Sequence, residues 1–144
     1  MSEQSILGRV ALGYSPIVDT NRNIRATRLG VFPMNAEARL DAAGLLKAIG
    51  EVWPADGPQV FLNLGSEALL VDLLVAKPAK NLLIEVPAFM AGEPAMAAAM
   101  AAAHANGNGL LLKGRPLKPL PREILPYFKH AIVDLSDERR VDSA

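Results

Sequence analysis

The chain has two histidines, His104 and His130, the side chains best suited to acid–base catalysis near neutral pH. Met96, Met100 and His104 recur four residues apart, a spacing that could place soft metal ligands on one helix face. Core packing, with the histidine near the helix C-terminus, is the better interpretation. Gly-Asn-Gly at 107–109 lacks the spacing and the lysine of a phosphate loop and favours a helix-to-strand turn. There is no cysteine and no serine–histidine–acid pattern, so thiol chemistry is excluded and histidine-based catalysis is poorly supported.

The first elements are predicted to be a β-hairpin and a helix. Residues 9–19 and 24–32 are rich in β-branched and aromatic types, and turn formers at 20–23 separate them. Asn35 can cap a helix that runs from residue 36 to about residue 52, where apolar residues recur at helical spacing.

Strands and helices alternate in the rest of the chain. Ser66 is predicted to cap a short helix that Pro78 ends. Pro94 suits the first turn of an alanine-rich helix, and Gly107 suits its C-terminal cap. A further short helix is predicted at 120–129. Compact apolar runs predict strands at 59–64, 81–86, 109–113 and 130–135.

This order of elements predicts an α/β fold. Strands that alternate with helices favour a mainly parallel sheet with flanking helices, and the N-terminal hairpin adds one antiparallel strand. A closed barrel of eight strand–helix units usually needs roughly 250 residues. This chain has 144 residues and six candidate strands, so we expect one domain, 1–144, that forms part of a TIM-barrel-like sheet.

The composition excludes several classes of function. Lysine plus arginine and aspartate plus glutamate number 15 each, which gives no indication of nucleic acid or an anionic membrane as a partner. The longest weakly polar run, at 95–105, is too short to span a bilayer, and the N-terminus does not resemble a signal peptide. A cytoplasmic location is therefore expected.

Four segments, in order, resemble the EAL domain, a bacterial cyclic di-GMP phosphodiesterase family. Tyr-Ser-Pro-Ile-Val-Asp and the strand after it resemble the opening strand pair of that family, which ends in Glu-Ala-Leu. The strand at 59–64 resembles its asparagine strand, and the strand at 81–86 resembles its glutamate strand. Residues 104–116 and 125–135 resemble its Asp-Asp and Lys-x-Asp strands. The match spans about 9–136 and implies the first half of an EAL domain.

The resemblance also implies where a metal site would have been. Two divalent cations that assist phosphodiester hydrolysis need carboxylate and amide oxygens as ligands. Asn63 matches the family's metal-binding asparagine, Glu85 a metal-binding glutamate, and Asp134 the aspartate of Lys-x-Asp. Since the family places Arg28, Glu85 and Lys113 toward one pocket, and a buried carboxylate needs a partner, we expect Glu85 within ion-pairing reach of Arg28 or Lys113. The two cations could instead form a site for an anion, and both possibilities stay open.

Other family positions are substituted. Arg28 stands at the glutamate of Glu-Ala-Leu, and two cations and a glycine replace three carboxylates, a change of about five charge units that disfavours metal ions. Asn63, Glu85 and Asp134 are then better interpreted as structural polar groups than as ligands. The substituted positions are Ser15, Arg28, Phe32, Lys113, Gly114 and Ile132.

We therefore expect a degenerate, non-catalytic EAL-like module without metal or cofactor. Such domains often precede an HDOD domain in a longer signal-transduction protein, so the expected partner is a protein or an attached regulatory domain. Free strand edges of a partial barrel also predict a possible homodimer. The alternatives are a small-molecule or anion-binding α/β domain and an active cyclic di-GMP phosphodiesterase.

Overall fold

The computed structural model describes residues 9–34 and 40–134, which form one curved sheet with helices against one face. The mainly parallel α/β architecture and the N-terminal hairpin predicted from the sequence are confirmed. The strands are β1 (Val10–Val18), β2 (Ile24–Pro33), β3 (Gln59–Leu64), β4 (Leu82–Pro87), β5 (Leu110–Lys113) and β6 (Phe128–Ile132). The helices are α1 (Ala42–Val52), α2 (Glu67–Val75), α3 (Ala88–Ala91), α4 (Pro94–Ala105) and a 3₁₀ helix (Arg122–Tyr127).

The strand order in the sheet follows the chain order, β1 to β6. β1 and β2 are antiparallel, and every later neighbour is parallel. Each new strand is therefore added at the same edge, as in the wall of a strand–helix barrel. In consequence, the carboxyl ends of β2 to β6 lie along one rim of the sheet.

Successive side chains along each strand point to opposite faces of the sheet, and the apolar clusters on the two faces differ in size. The main core lies between the sheet and the helices, where Leu62 and Ile84 are fully buried. The opposite face carries a smaller cluster formed by Ala26, Phe61, Leu83 and Leu111, with Ile17 and Ile132 packed against it.

The sheet is strongly curved toward the smaller cluster. The rings of Phe61 in β3 and His130 in β6 stack with centroids 6.3 Å apart, although β4 and β5 lie between them. Three steps of about 4.8 Å would separate these strands by about 14 Å in a flat sheet. The smaller cluster therefore lines a concave inner face, on which side chains from non-adjacent strands meet.

Helix boundaries follow local capping chemistry. Ser66 Oγ accepts a hydrogen bond from the Leu69 amide at 3.3 Å, as expected for the cap of α2. The prediction for α1 is wrong at residues 40 and 41, because Asp41 caps the helix by accepting from the Ala43 and Gly44 amides, both at 3.1 Å. The predicted cap Asn35 lies outside the described residues.

The segment before β6 differs from the prediction. A six-residue 3₁₀ helix replaces the α-helix expected at 120–129, since Pro126 lies within it and cannot donate an α-helical hydrogen bond. β6 begins at Phe128 rather than at 130, and its last described strand residue is Ile132. Helix α3, a single turn after β4, was not predicted from the sequence. Every helix in the described part of the chain is too short or too polar to cross a bilayer.

Two buried asparagines join the loops on the rim opposite the strand carboxyl ends. Asn108 is 2% exposed, and its side-chain amide donates to the carbonyls of Ala79 (3.0 Å) and Pro78 (3.3 Å). Its Oδ1 accepts from Asn106 Nδ2 at 2.6 Å. Asn81 donates to the carbonyl of Pro54 at 3.0 Å. These amides connect neighbouring strand–helix units where no strand pairing does so.

We expect Asn108→Ala to lower the free energy of unfolding by about 1–3 kcal/mol, because it removes the hydrogen bonds that this buried amide donates to the Pro78 and Ala79 carbonyls. Urea denaturation followed by circular dichroism measures the change. Asn21→Ala, in the exposed hairpin turn, is the matched control and should change stability by about 0.5 kcal/mol or less. Equal effects of the two substitutions would contradict a structural role for the Asn108 amide.

Candidate functional site

The candidate site lies near the carboxyl-end rim of the concave face. Parallel pairing places Gly30 of β2 opposite Asn63 of β3, and Pro87 of β4 opposite Lys113 of β5. Arg28, Asn63, Glu85 and Lys113 all alternate with residues of the main core, so their side chains share the inner face. The site is therefore built by sheet register rather than by a loop motif.

A bidentate ion pair between Arg28 and Glu85 is the central contact. Arg28 Nη2 lies 2.6 Å from Glu85 Oε1, and Arg28 Nε donates to Glu85 Oε2 at 2.8 Å. The Glu85 side chain is fully buried, whereas that of Arg28 is 33% exposed. Hydrogen bonding to Glu85 raises the pKa of the Arg28 guanidinium, and the charges of Glu85 and Asp134 add to this effect. The predicted pairing of Glu85 is confirmed, and Arg28 is the partner.

A second polar link runs between Lys113 and Asn63. Lys113 Nζ donates to Asn63 Oδ1 at 2.9 Å. This bond joins β5 to β3 across β4, whereas the Arg28–Glu85 pair joins β4 to β2 across β3. The two links overlap along the sheet, so four successive strands are connected by side chains on the concave face.

An open pocket of about 450 Å³ adjoins these links. It contains both cations and Asp134, and α3 contributes the exposed ring of Phe89. Phe89 was not predicted as a site residue, because its position depends on the unpredicted turn after β4. The lining residues are Arg28, Pro87, Phe89, Lys113, Gly114, Ile132, Val133 and Asp134.

Ser15 and Phe32, two of the positions that the sequence resemblance suggested as substituted, lie away from the pocket lining. Ser15 pairs with Arg28 across the hairpin and is exposed on β1. Phe32 lies over two glycines: a Cβ on Gly30 would be 2.7 Å from Phe32 Cε2, and one on Gly65 would be 2.6 Å from Phe32 Cδ1. The ring therefore depends on the absence of side chains at residues 30 and 65.

The remaining residues that were considered for chemistry in the sequence lie in the core, in a ring contact or in a turn. Met96 and Met100 are buried in the main core, and the His104 ring contacts the Tyr127 ring at a centroid distance of 4.7 Å. Gly107 has a φ of 90° at the helix-to-strand turn, which favours glycine. Within residues 9–34 and 40–134, no three histidine, aspartate or glutamate side chains form a group that could hold a metal ion.

No family model, curated protein or solved structure matches this chain.

We expect Arg28→Met to lower the free energy of unfolding by about 3 kcal/mol, because it leaves the buried Glu85 carboxylate without its cation. This value is at the lower end for buried pairs, since Arg28 is partly exposed. Arg25→Met is the matched control: it breaks the exposed Arg25–Asp19 pair, joined at 2.7 Å, and should cost much less. Thermal and urea denaturation measure both changes.

The double variant Arg28→Met with Glu85→Leu should recover most of the stability, because it removes both buried charges. A loss for Arg28→Met no larger than that for Arg25→Met would contradict the importance of the buried pair. A double variant less stable than Arg28→Met alone would contradict the explanation by an unpaired carboxylate.

Proposed function

We propose that this chain is a non-catalytic EAL-like module that acts in signal transduction through protein contacts rather than by hydrolysing cyclic di-GMP. The support for descent from the EAL family is the order of four strand motifs in the sequence. The observation that carries the loss of activity is the bidentate Arg28–Glu85 pair. In the proposed alignment, Arg28 places a cation at one metal-ligand position. Glu85 occupies another, and both of its carboxylate oxygens accept hydrogen bonds from Arg28.

The energetics of the pair argue against a bound divalent cation. A divalent ion about 4 Å from one guanidinium charge would be repelled by about 8 kcal/mol at an effective dielectric constant of 20. Displacing Arg28 would in turn remove the hydrogen bonds that hold the buried Glu85 carboxylate. Asn63 Oδ1 already accepts from the Lys113 ammonium, so a third expected ligand also contacts a cation.

The concave face supports a role in protein contacts. A groove of about 620 Å³ runs along it between β1–β2 and β6 and includes Ile17, Phe61 and Ile132. In a closed barrel, residues on this face would pack against one another. Here part of the apolar surface remains accessible for a protein partner or an attached regulatory domain. The proposal includes a cytoplasmic location, with which the absence of cysteine is compatible.

Binding of a small anion is a second candidate function. It is favoured by one observation: Arg28 and Lys113 both line the 450 Å³ pocket, and Lys113 Nζ donates to an uncharged amide. Calorimetry with phosphate, using Lys113→Gln as the comparison, tests this candidate. Saturable binding that Lys113→Gln abolishes would support it, and the absence of heat at millimolar phosphate would exclude phosphate as the ligand.

We expect no hydrolysis of cyclic di-GMP by the purified chain with Mg²⁺ or Mn²⁺, and no binding with a micromolar or lower Kd. Product formation is followed by chromatography and binding by calorimetry, with an active EAL domain as the positive control. Metal-dependent turnover by this chain that Glu85→Gln abolishes would overturn the proposal. Turnover unchanged by Glu85→Gln would indicate a contaminating enzyme. The assay would then be repeated with further purified protein, and the absence of turnover in that repeat would support the proposal.

A further inference from the structure

The outer edge of β1 is long, apolar and uncharged. The nine residues from Val10 to Val18 include no lysine, arginine, aspartate or glutamate. Leu12 and Tyr14 are 43% and 72% exposed. Charged side chains are a common protection of edge strands against pairing with another chain. The other edge strand, β6, does carry an exposed charge at Lys129, whereas β1 has none.

The hydrogen-bond pattern of the hairpin identifies which backbone groups of β1 point outward. The Met34 amide donates to the Arg9 carbonyl at 3.0 Å, so these two residues form a hydrogen-bonded pair. Such pairs alternate along an antiparallel ladder. Odd-numbered residues of β1 therefore bond to β2, and even-numbered residues point away. Pro16, which has no amide hydrogen, falls at an outward position that needs no donor within the hairpin.

We propose that β1 pairs with β1 of a second copy of this chain, antiparallel about a two-fold axis at Leu12. This register places Val10 opposite Tyr14 of the second copy and Leu12 opposite its own counterpart. Val10, Leu12 and Tyr14 each offer an outward amide and carbonyl, so the ladder has six backbone hydrogen bonds. A register centred on Tyr14 would place Pro16 opposite Leu12, so that a residue without a donor would lie inside the ladder rather than beyond its end.

The chemistry of the edge favours a second copy as the occupant. A two-fold pairing places the same edge of both copies together, so an edge with several charges of one sign would repel itself. β1 has no charge to repel, and in this register Arg9 falls opposite Ser15 rather than opposite another cation. Leu12 and Tyr14 extend from the face that carries the main core, and pairing would bring Tyr14 beside Val10 of the second copy.

This interface does not use the Arg28–Glu85 pair or the pocket. It therefore goes beyond the proposed function and can fail independently of it. The assay for cyclic di-GMP hydrolysis tests the proposed function, and the measurements below test the β1 interface.

Light scattering of the whole chain over a dilution series tests self-association. We expect a mass of twice 15.3 kDa at micromolar concentration, falling to 15.3 kDa on dilution. Leu12→Lys places two like charges opposite each other at the two-fold axis and should weaken association by about tenfold or more, equal to about 1.4 kcal/mol. Leu117→Lys is the matched control, because Leu117 is 97% exposed and far from β1 in sequence; it should leave association unchanged.

Leu12→Pro gives a test that depends on the backbone alone. It removes an outward amide that makes no bond to β2, so the monomer should retain its circular dichroism while the dimer is lost. In the unaltered chain, hydrogen exchange should show the Leu12 and Tyr14 amides protected only at concentrations that give the dimer. The Gly13 and Ser15 amides should be protected at every concentration.

A monomer at all concentrations, or a dimer that Leu12→Lys and Leu12→Pro leave intact, would overturn the proposal. Leu12 and Tyr14 amides that exchange equally fast in the monomer and the dimer would also overturn it. If Leu12→Pro does not fold, the exchange pattern of the unaltered chain and the Leu12→Lys comparison still decide between the outcomes.

Discussion

A fully buried carboxylate, that of Glu85, is the constraint on which the concave face depends. An isolated charge in that position would cost several kcal/mol, so a cation with two donors at matching distance stabilises the folded state. Arg28 meets this requirement only if β2 and β4 curve toward each other across β3. The ion pair and the curvature of the sheet are therefore coupled, and the stacking of Phe61 on His130 follows from the same curvature.

Polar side chains connect the sheet at both rims, but by different means. At the carboxyl ends, charged groups join strands that are two apart. At the opposite rim, the neutral amides of Asn81 and Asn108 hold loop carbonyls that no strand pairs. Arg28 and Lys113 line an open pocket, whereas the side-chain amide nitrogens of Asn81 and Asn108 donate to loop carbonyls. A ligand is therefore more compatible with the carboxyl-end rim than with the opposite one.

The sequence predicted the strands because continuous apolar runs indicate parallel, doubly covered strands. It also predicted that Glu85 needs a cation, but it could not choose between Arg28 and Lys113, since that choice depends on register and curvature. The segment before β6 was predicted poorly because Pro126 favours a 3₁₀ helix over the expected α-helix. Asn108 was overlooked within a glycine-rich turn, because its three carbonyl partners are more than 25 residues away in the sequence.

The need of the buried Glu85 carboxylate for a cation also offers an explanation for the presence of a glutamate at this position. Under the proposed function, an ancestral metal ion and the present guanidinium would neutralise the same carboxylate. A chain that exchanged a neighbouring carboxylate for Arg28 would lose the metal site and still need Glu85, because the new cation would lack a counter-charge in a partly buried position. Asn63 follows the same logic, since its amide oxygen accepts from Lys113. Under the proposed function, the ion pair of Glu85 and the hydrogen bond of Asn63 would thus account for the presence of both residues, which is then no argument for hydrolysis.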